Sequence, residues 1–100
     1  MIVINKPKFQ VGQLLATPGA LEALEQAGQS VHELLARHIQ ADWGCVCQDD
    51  AFANDEALRD GSRILSAYRL KTGVKIWLIT SAADDHGQRE ATTALLPEEY

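Results

Sequence analysis

Residues 64–80 repeat with a period of two on either side of a glycine-bearing break, and this pattern constrains the fold more than any other feature. Ile64, Ser66, Tyr68 and Leu70 alternate with Leu65, Ala67 and Arg69, the spacing that sends successive side chains to opposite faces of a strand. Lys71-Thr72-Gly73 supplies a short connection in which Gly73 is free to take a positive φ. In the returning run, Val74, Ile76 and Leu78 stand opposite Lys75, Trp77 and Ile79, up to Thr80. Thr92–Leu96 is a third β-prone run, stopped by Pro97. The sequence predicts an antiparallel meander over 63–70, 74–80 and 92–96, with 81–91 as a long polar loop.

Upstream the period is helical. Thr17 reads as an N-cap, Pro18 as the first helical residue and Gly28 as the stop, with Ala20, Leu21, Ala23, Leu24 and Ala27 mostly on one face. Ser30-Val31-His32-Glu33 has the spacing of a capping box, so a second helix starts at once. Its stripe is Val31, Leu34, Leu35, His38 and Ile39, and it is expected to end near Trp43-Gly44. Ile2-Val3-Ile4, cut short by Pro7, reads as an arm or edge strand. Residues 45–61 are weakly periodic, with Asn54 or Asp55 capping a short helical stretch through Leu58 that ends at Gly61. The expected class is α+β, two N-terminal helices packed on a three-stranded antiparallel β-meander. All 100 residues fall in one domain: an arm or edge strand (1–16), a helix pair (17–43), an acidic segment (44–61) and the meander (62–100).

A chain of 100 residues has no room for a two-domain enzyme, a TIM barrel or a full dinucleotide fold. No apolar run reaches the roughly 20 residues of a membrane span, and the N-terminus lacks the apolar core of a secretory signal. A reducing, cytoplasmic setting without membrane contact is the expectation. The net charge of −5 is local. Asp42, Asp49, Asp50, Asp55, Glu56 and Asp60 lie within nineteen positions with Arg59 as their sole counter-charge, leaving eight charges of each sign elsewhere. Such a belt disfavours direct nucleic-acid binding, which needs a basic footprint. It suits a basic protein partner, a nucleic-acid-binding protein among them, toward which the acids would mimic a phosphate backbone. A solvated surface segment is the plainer reading.

Cys45 and Cys47 are spaced C-x-C, too close for an easy disulfide. A metal site would need two further ligands from His32, His38, His86 or Asp42, so two buried or half-buried free thiols are expected, with no metal and no cofactor. His38 reads as a core histidine with one nitrogen satisfied, and His32 as exposed in the first turn of its helix. His86 sits among Asp84, Asp85, Arg89 and Glu90, a grouping capable of acid–base chemistry or simply solvated. Trp43 is expected to plug the core edge. If helices cover the Ile76 face, Trp77 is left on the other face with Lys75, Arg63, Leu65, Ala67, Arg69 and Ile79, the composition of an interface. The opposite assignment buries Leu65 and Ile79. No nucleophile elbow, Walker loop or zinc-protease motif occurs, and no catalytic residue is assigned.

The second half of the chain carries a resemblance. Asp42-Trp43-Gly44, Asn54-Asp55-Glu56-Ala57-Leu58, Gly61 through Tyr68, Lys75 through Thr80 and Thr92 through Tyr100 occur in that order. Together they resemble a family of uncharacterised small bacterial proteins carried by plasmids and other mobile elements, some labelled plasmid-related proteins. Over residues 14–100 the likeness implies an accessory protein of a mobile element, and it implies no activity. The segment Ser81–Ala91 is longer here than the corresponding family loop. Three function classes stand. The first is a non-catalytic interaction module, such as an acidic inhibitor of a host defence nuclease of the anti-CRISPR or anti-restriction type. It would bind through Asp42, Asp49, Asp50, Asp55, Glu56, Asp60, Lys75 and Trp77. The second is a RelE-like toxin ribonuclease using Arg63, Tyr68, Arg69, Lys75, His86 and Arg89. The third is an accessory assembly subunit that oligomerises through a sheet edge left open after Thr92–Leu96.

Overall fold

The computed structural model describes residues 7–100, so the Ile2-Val3-Ile4 run expected as an arm or edge strand lies outside the described residues. Helix α1 (Pro18–Ala27) starts where its cap dictates: the Thr17 hydroxyl accepts from the Ala20 N–H, and Gly28 closes the helix in the left-handed region. Helix α2 (Val31–His38) follows, with Ser30 Oγ accepting from the Glu33 N–H at 3.3 Å. It ends at His38, short of the expected Trp43-Gly44. Ala41 at φ 64° turns the chain beyond it.

The hairpin forms as its alternation requires. Strands β2 (Ile64–Arg69) and β3 (Lys75–Thr80) pair antiparallel with Ser66 opposite Leu78 and Ala67 opposite Trp77. Strand β4 (Ala91–Leu95) pairs antiparallel with β3, Leu78 facing Ala94. The expected three-stranded meander is incomplete, however. Strand β1 (Gln13–Ala16) lies parallel to β4, giving a mixed four-stranded sheet in the order β1-β4-β3-β2. The edge expected after Thr92–Leu96 is therefore covered, and β4 is an interior strand. Gln-Leu-Leu-Ala has no alternation to announce a strand. It is drawn into the sheet by the bonds that flank it, from the Gln13 N–H to the Glu90 carbonyl at 2.9 Å and from the Thr17 N–H to the Ala94 carbonyl at 3.0 Å.

The acidic segment is also more ordered than expected. Helix α3 (Gln48–Asp60) spans 13 residues from its cap at Cys47 to Gly61, so neither Asn54 nor Asp55 is a helix cap. Its period is hard to read because the helix touches the body along a narrow stripe. Only Asn54 and Ala57 are buried, Ala51 and Leu58 are partly so, and Phe52 is 66% exposed. Asn54 has a task that its type conceals. Its amide donates to the Leu65 carbonyl at 2.7 Å and its carbonyl accepts from the Leu65 N–H at 3.1 Å, as a neighbouring strand would. One pitch further on, the Ala67 N–H donates to the Trp43 carbonyl and the Cys45 N–H donates to the Ala67 carbonyl. Gly44 is obligatory at this crossing. Its φ is +72°, and a Cβ there would lie 1.9 Å from the Ala67 oxygen.

All even-numbered positions of β2 and β3 face the helices. Tyr68, Ile76, Leu78 and Ala94 meet Ala20, Leu24 and Leu34 in the main core. Trp43, Ala57 and Ile64 form a second cluster with Phe9 at the α3 end, so Trp43, 7% exposed, closes the core edge as expected. Among the described residues no helix is long and apolar enough to cross a membrane. Replacing Asn54 with Leu removes both bonds to Leu65 and leaves a buried strand edge unsatisfied. The expected loss is about 2 kcal/mol of unfolding free energy, read as a lower urea midpoint. An unchanged midpoint would mean that water serves Leu65 equally well.

Candidate functional site

All three helices leave the other face of the sheet uncovered. Trp77 stands near its centre, half-buried, across from Ala67 on β2 and Leu95 on β4. Leu65, Ile79, Ala91 and Thr93 are also partly exposed there. The Ile76 face is the buried one, so the assignment that would bury Leu65 and Ile79 does not hold. The chain end folds back onto this surface. The Thr17 hydroxyl donates to Glu99 at 2.6 Å, the Leu96 N–H donates to the same carboxylate at 2.8 Å, and the Tyr100 ring meets Trp77 edge-on at 5.7 Å. The hydroxyl and amide hold the Glu99 carboxyl below its ordinary range. Arg63 approaches the Tyr100 ring at 5.8 Å, and Arg69 stands opposite Lys75 at one end of the face. Two shallow grooves flank the central Trp. One of about 520 Å³ runs past Ile79, Thr93, Leu95 and Tyr100. The other, about 170 Å³, lies between Lys75, Trp77 and the start of α3, where Cys45, Cys47 and Asp50 line it.

The acidic belt divides into acids that hold the fold and acids that do not. Asp42 accepts from Arg37 at 2.7 Å and from the Gly44 N–H at 3.2 Å; Arg37 first, then that amide, hold its carboxyl below the usual range. Asp55 accepts from the Trp43 indole N–H at 3.0 Å. Glu56 pairs with Arg59. Asp60 accepts from the Ser62 N–H at 2.8 Å, and bonding to Ser62 depresses its carboxyl. Asp49 and Asp50 remain, exposed in the first turn of α3 where the helix dipole favours negative charge. Asp50 borders the open face through the groove that it shares with Lys75 and Trp77. Of the eight residues expected at a partner surface, the structure groups Trp77, Lys75 and Asp50, with Asp49 exposed beside Asp50 in the first turn of α3. Asp42, Asp55, Glu56 and Asp60 are engaged within the chain.

The residues of the ribonuclease reading do not converge. Tyr68 lies under the helices with its hydroxyl donating to the Asp42 carbonyl at 2.6 Å, and burial pushes the phenol up to about 12. Arg89 is 7% exposed and donates to the carbonyls of Ala57, Ser62 and Ser81. His86 is exposed in a tight turn built on Asp84, which accepts from the His86 and Gln88 N–H groups. Arg63, Arg69 and Lys75 alone share a face. Cys45 and Cys47, expected buried or half-buried, are exposed free thiols, because the pairing of 43–45 with the β2 edge fixes the backbone and turns the side chains outward. Among the described residues no three His, Cys, Asp or Glu side chains gather as a metal site requires. His32 is exposed, as its place in the first turn of α2 implied.

His38 is fully buried, and both ring nitrogens are used rather than one. Nδ1 lies 2.5 Å from Ser66 Oγ and Nε2 lies 2.8 Å from Thr80 Oγ1. Thr80 Oγ1 is in turn 2.7 Å from Thr92 Oγ1, whose hydroxyl donates to the Val11 carbonyl at 2.8 Å. That carbonyl can only accept, so each proton from Nε2 onward has one place: Thr80 donates to Thr92, and Nε2–H donates to Thr80. Burial disfavours the charged ring, and a neutral ring with Nε2–H leaves Nδ1 to accept from the Ser66 hydroxyl. Compared with models of known protein families, with curated proteins and with solved structures, the chain matches none.

Burial first, and the charge of Arg89 second, push the His38 ring down to about 4 from 6.5. Above pH 6.5 it is neutral folded and unfolded alike. Below that, the unfolded chain takes up a proton that the folded chain refuses, so stability falls as pH drops toward 4. This group accounts for about 3 kcal/mol over that window. Urea titrations of wild type and His38→Gln at a series of pH values should show a shallower acid slope for the variant, and equal slopes would contradict the account.

Proposed function

We propose that this chain is a non-catalytic interaction module that binds a protein partner through the open face of its sheet. The observation that carries this reading is the uncovered face with half-buried Trp77 at its centre, edged by charges of both signs. Aromatic and aliphatic groups there are desolvated cheaply by a partner and supply most of the contact energy. Lys75 and Arg69 mark one part of the rim, and Asp50, next to Asp49 in the first turn of α3, marks another. A complementary partner carries an apolar projection for the Trp77 platform and basic groups toward the first turn of α3. A nucleic-acid-binding enzyme has such basic groups, and the likeness to mobile-element proteins supports a host defence nuclease as the target, inhibited in the anti-CRISPR or anti-restriction manner. The setting is the cytoplasm, with neither membrane nor nucleic acid in direct contact.

The test is comparative capture from host extract. Wild type should retain a basic protein that Trp77→Thr loses by at least about tenfold, since central anchors cost 2 kcal/mol or more when truncated. Both forms should keep the same urea midpoint within error. Retention by both forms would remove the platform from the interface. With the captured partner in hand, the double variant Asp49→Asn, Asp50→Asn should associate several-fold more slowly at low salt. The difference should vanish near 1 M, where the screening length is about 3 Å.

A further inference from the structure

The two edges of the sheet are finished differently. On β2 the outward N–H and C=O groups of Leu65 and Ala67 are all bonded within the chain, by Asn54 and by residues 43–45. On β1 the bonds of Gln13 and Thr17 to β4 turn the odd-numbered residues inward, so Leu14 and Ala16 present their N–H and C=O groups outward. Among the described residues these four groups have no partner. Gln13–Ala16 carries no charge, proline or bulge, the usual devices that blunt an edge. Leu15 is 42% exposed on the open face beside it.

We infer that two copies of this chain join edge to edge through β1, antiparallel about a two-fold axis at Leu15. In that register the Leu14 N–H and C=O of one copy bond the Ala16 C=O and N–H of the other, and the reciprocal pair completes four bonds. A long Leu14 then lies beside a short Ala16 on the helix-covered side. On the open side Leu15 meets Leu15 across a closely spaced pair. No like charges face each other. Gly12 at φ +63° before the strand and Pro18 after it bound the segment, so a slipped register has nowhere to extend. The union goes beyond the binding of a foreign partner and sets two Trp77 platforms on one continuous sheet. Four bonds and a leucine pair fall short of the roughly 1,000 Å² that stable interfaces bury, so the dimer is concentration-dependent.

Sedimentation velocity on the wild-type chain should show the mass doubling between about 10 µM and about 1 mM. Over the same range, hydrogen exchange at the Leu14 and Ala16 amides should slow by about tenfold or more, because only the dimer covers them. Ala16→Pro removes one outward donor that makes no bond within the chain, and Leu15→Lys sets two cations against each other. Each should remain a monomer at about 1 mM, with an unchanged far-UV spectrum. The inference fails if wild type stays monomeric across the range, or if these amides are already protected in the dilute monomer. It fails equally if both variants still dimerise. The exchange measurement on wild type decides the matter even if neither variant folds.

Discussion

One buried cation holds the layout together. The Arg89 guanidinium donates to the Ala57 carbonyl at 2.9 Å in the last turns of α3, to Ser62 at 2.6 Å in the link to β2, and to Ser81 at 3.1 Å beyond β3. Its three acceptors belong to segments that share no continuous secondary structure, and its charge meets the negative end of a helix dipole with the Asp60 carboxylate acting on it through space. Phe9 covers it at 5.9 Å. With α3 pinned there, Asn54 reaches Leu65 and the second cluster around Trp43 closes. The loop expected to be structureless is shaped by the same residue: Ala83 bridges to Arg89, and the Ala83 N–H donates to the Gly61 carbonyl at 2.7 Å. What reads in the sequence as one more loop charge is a structural tie.

Elements that make their own local bonds were legible. Thr17, Pro18, Gly28 and Ser30 state the helix starts and stops in chemistry that acts within four residues. The β2–β3 hairpin states its two faces by alternation, which sets Trp77 opposite Ile76 but leaves open which face the helices cover; that depends on packing between distant segments. What escaped notice depends on distant partners. β1 is a strand because β4 lies beside it; the stretch through Leu58 to the stop at Gly61 was legible, but the first half of α3 was not, because the helix's buried stripe contains an asparagine in place of an aliphatic residue. Hydrophobic periodicity cannot register a buried amide that serves as a strand.

The charge count misled for a related reason. Six acids in a row of nineteen positions look like one surface, yet four of them accept hydrogen bonds from an indole, a guanidinium or a backbone amide of their own chain. A carboxylate is as useful to a small fold as an acceptor as it is to a partner as a charge. Only geometry separates Asp49 and Asp50 from the rest. The histidines show the same split. His38 lies on a helical stripe like an aliphatic residue, but the hydroxyls of Ser66, Thr80 and Thr92 that receive it come from three different strands.

The sealing of β2 by Asn54 and Gly44 also sets a valency. A sheet bare on both edges can take a strand on each, and repeated addition runs on into fibres. Among the described residues one edge is closed at Leu65 and Ala67 by an amide side chain and a glycine crossing, so strand addition is favoured at the other. Whatever occupies β1 consumes the longer open run, and the β2 edge of the resulting assembly is blocked along its middle. An asparagine on a helix thus acts as a chain terminator for the sheet, and the stoichiometry of anything built by strand pairing on this protein follows from it.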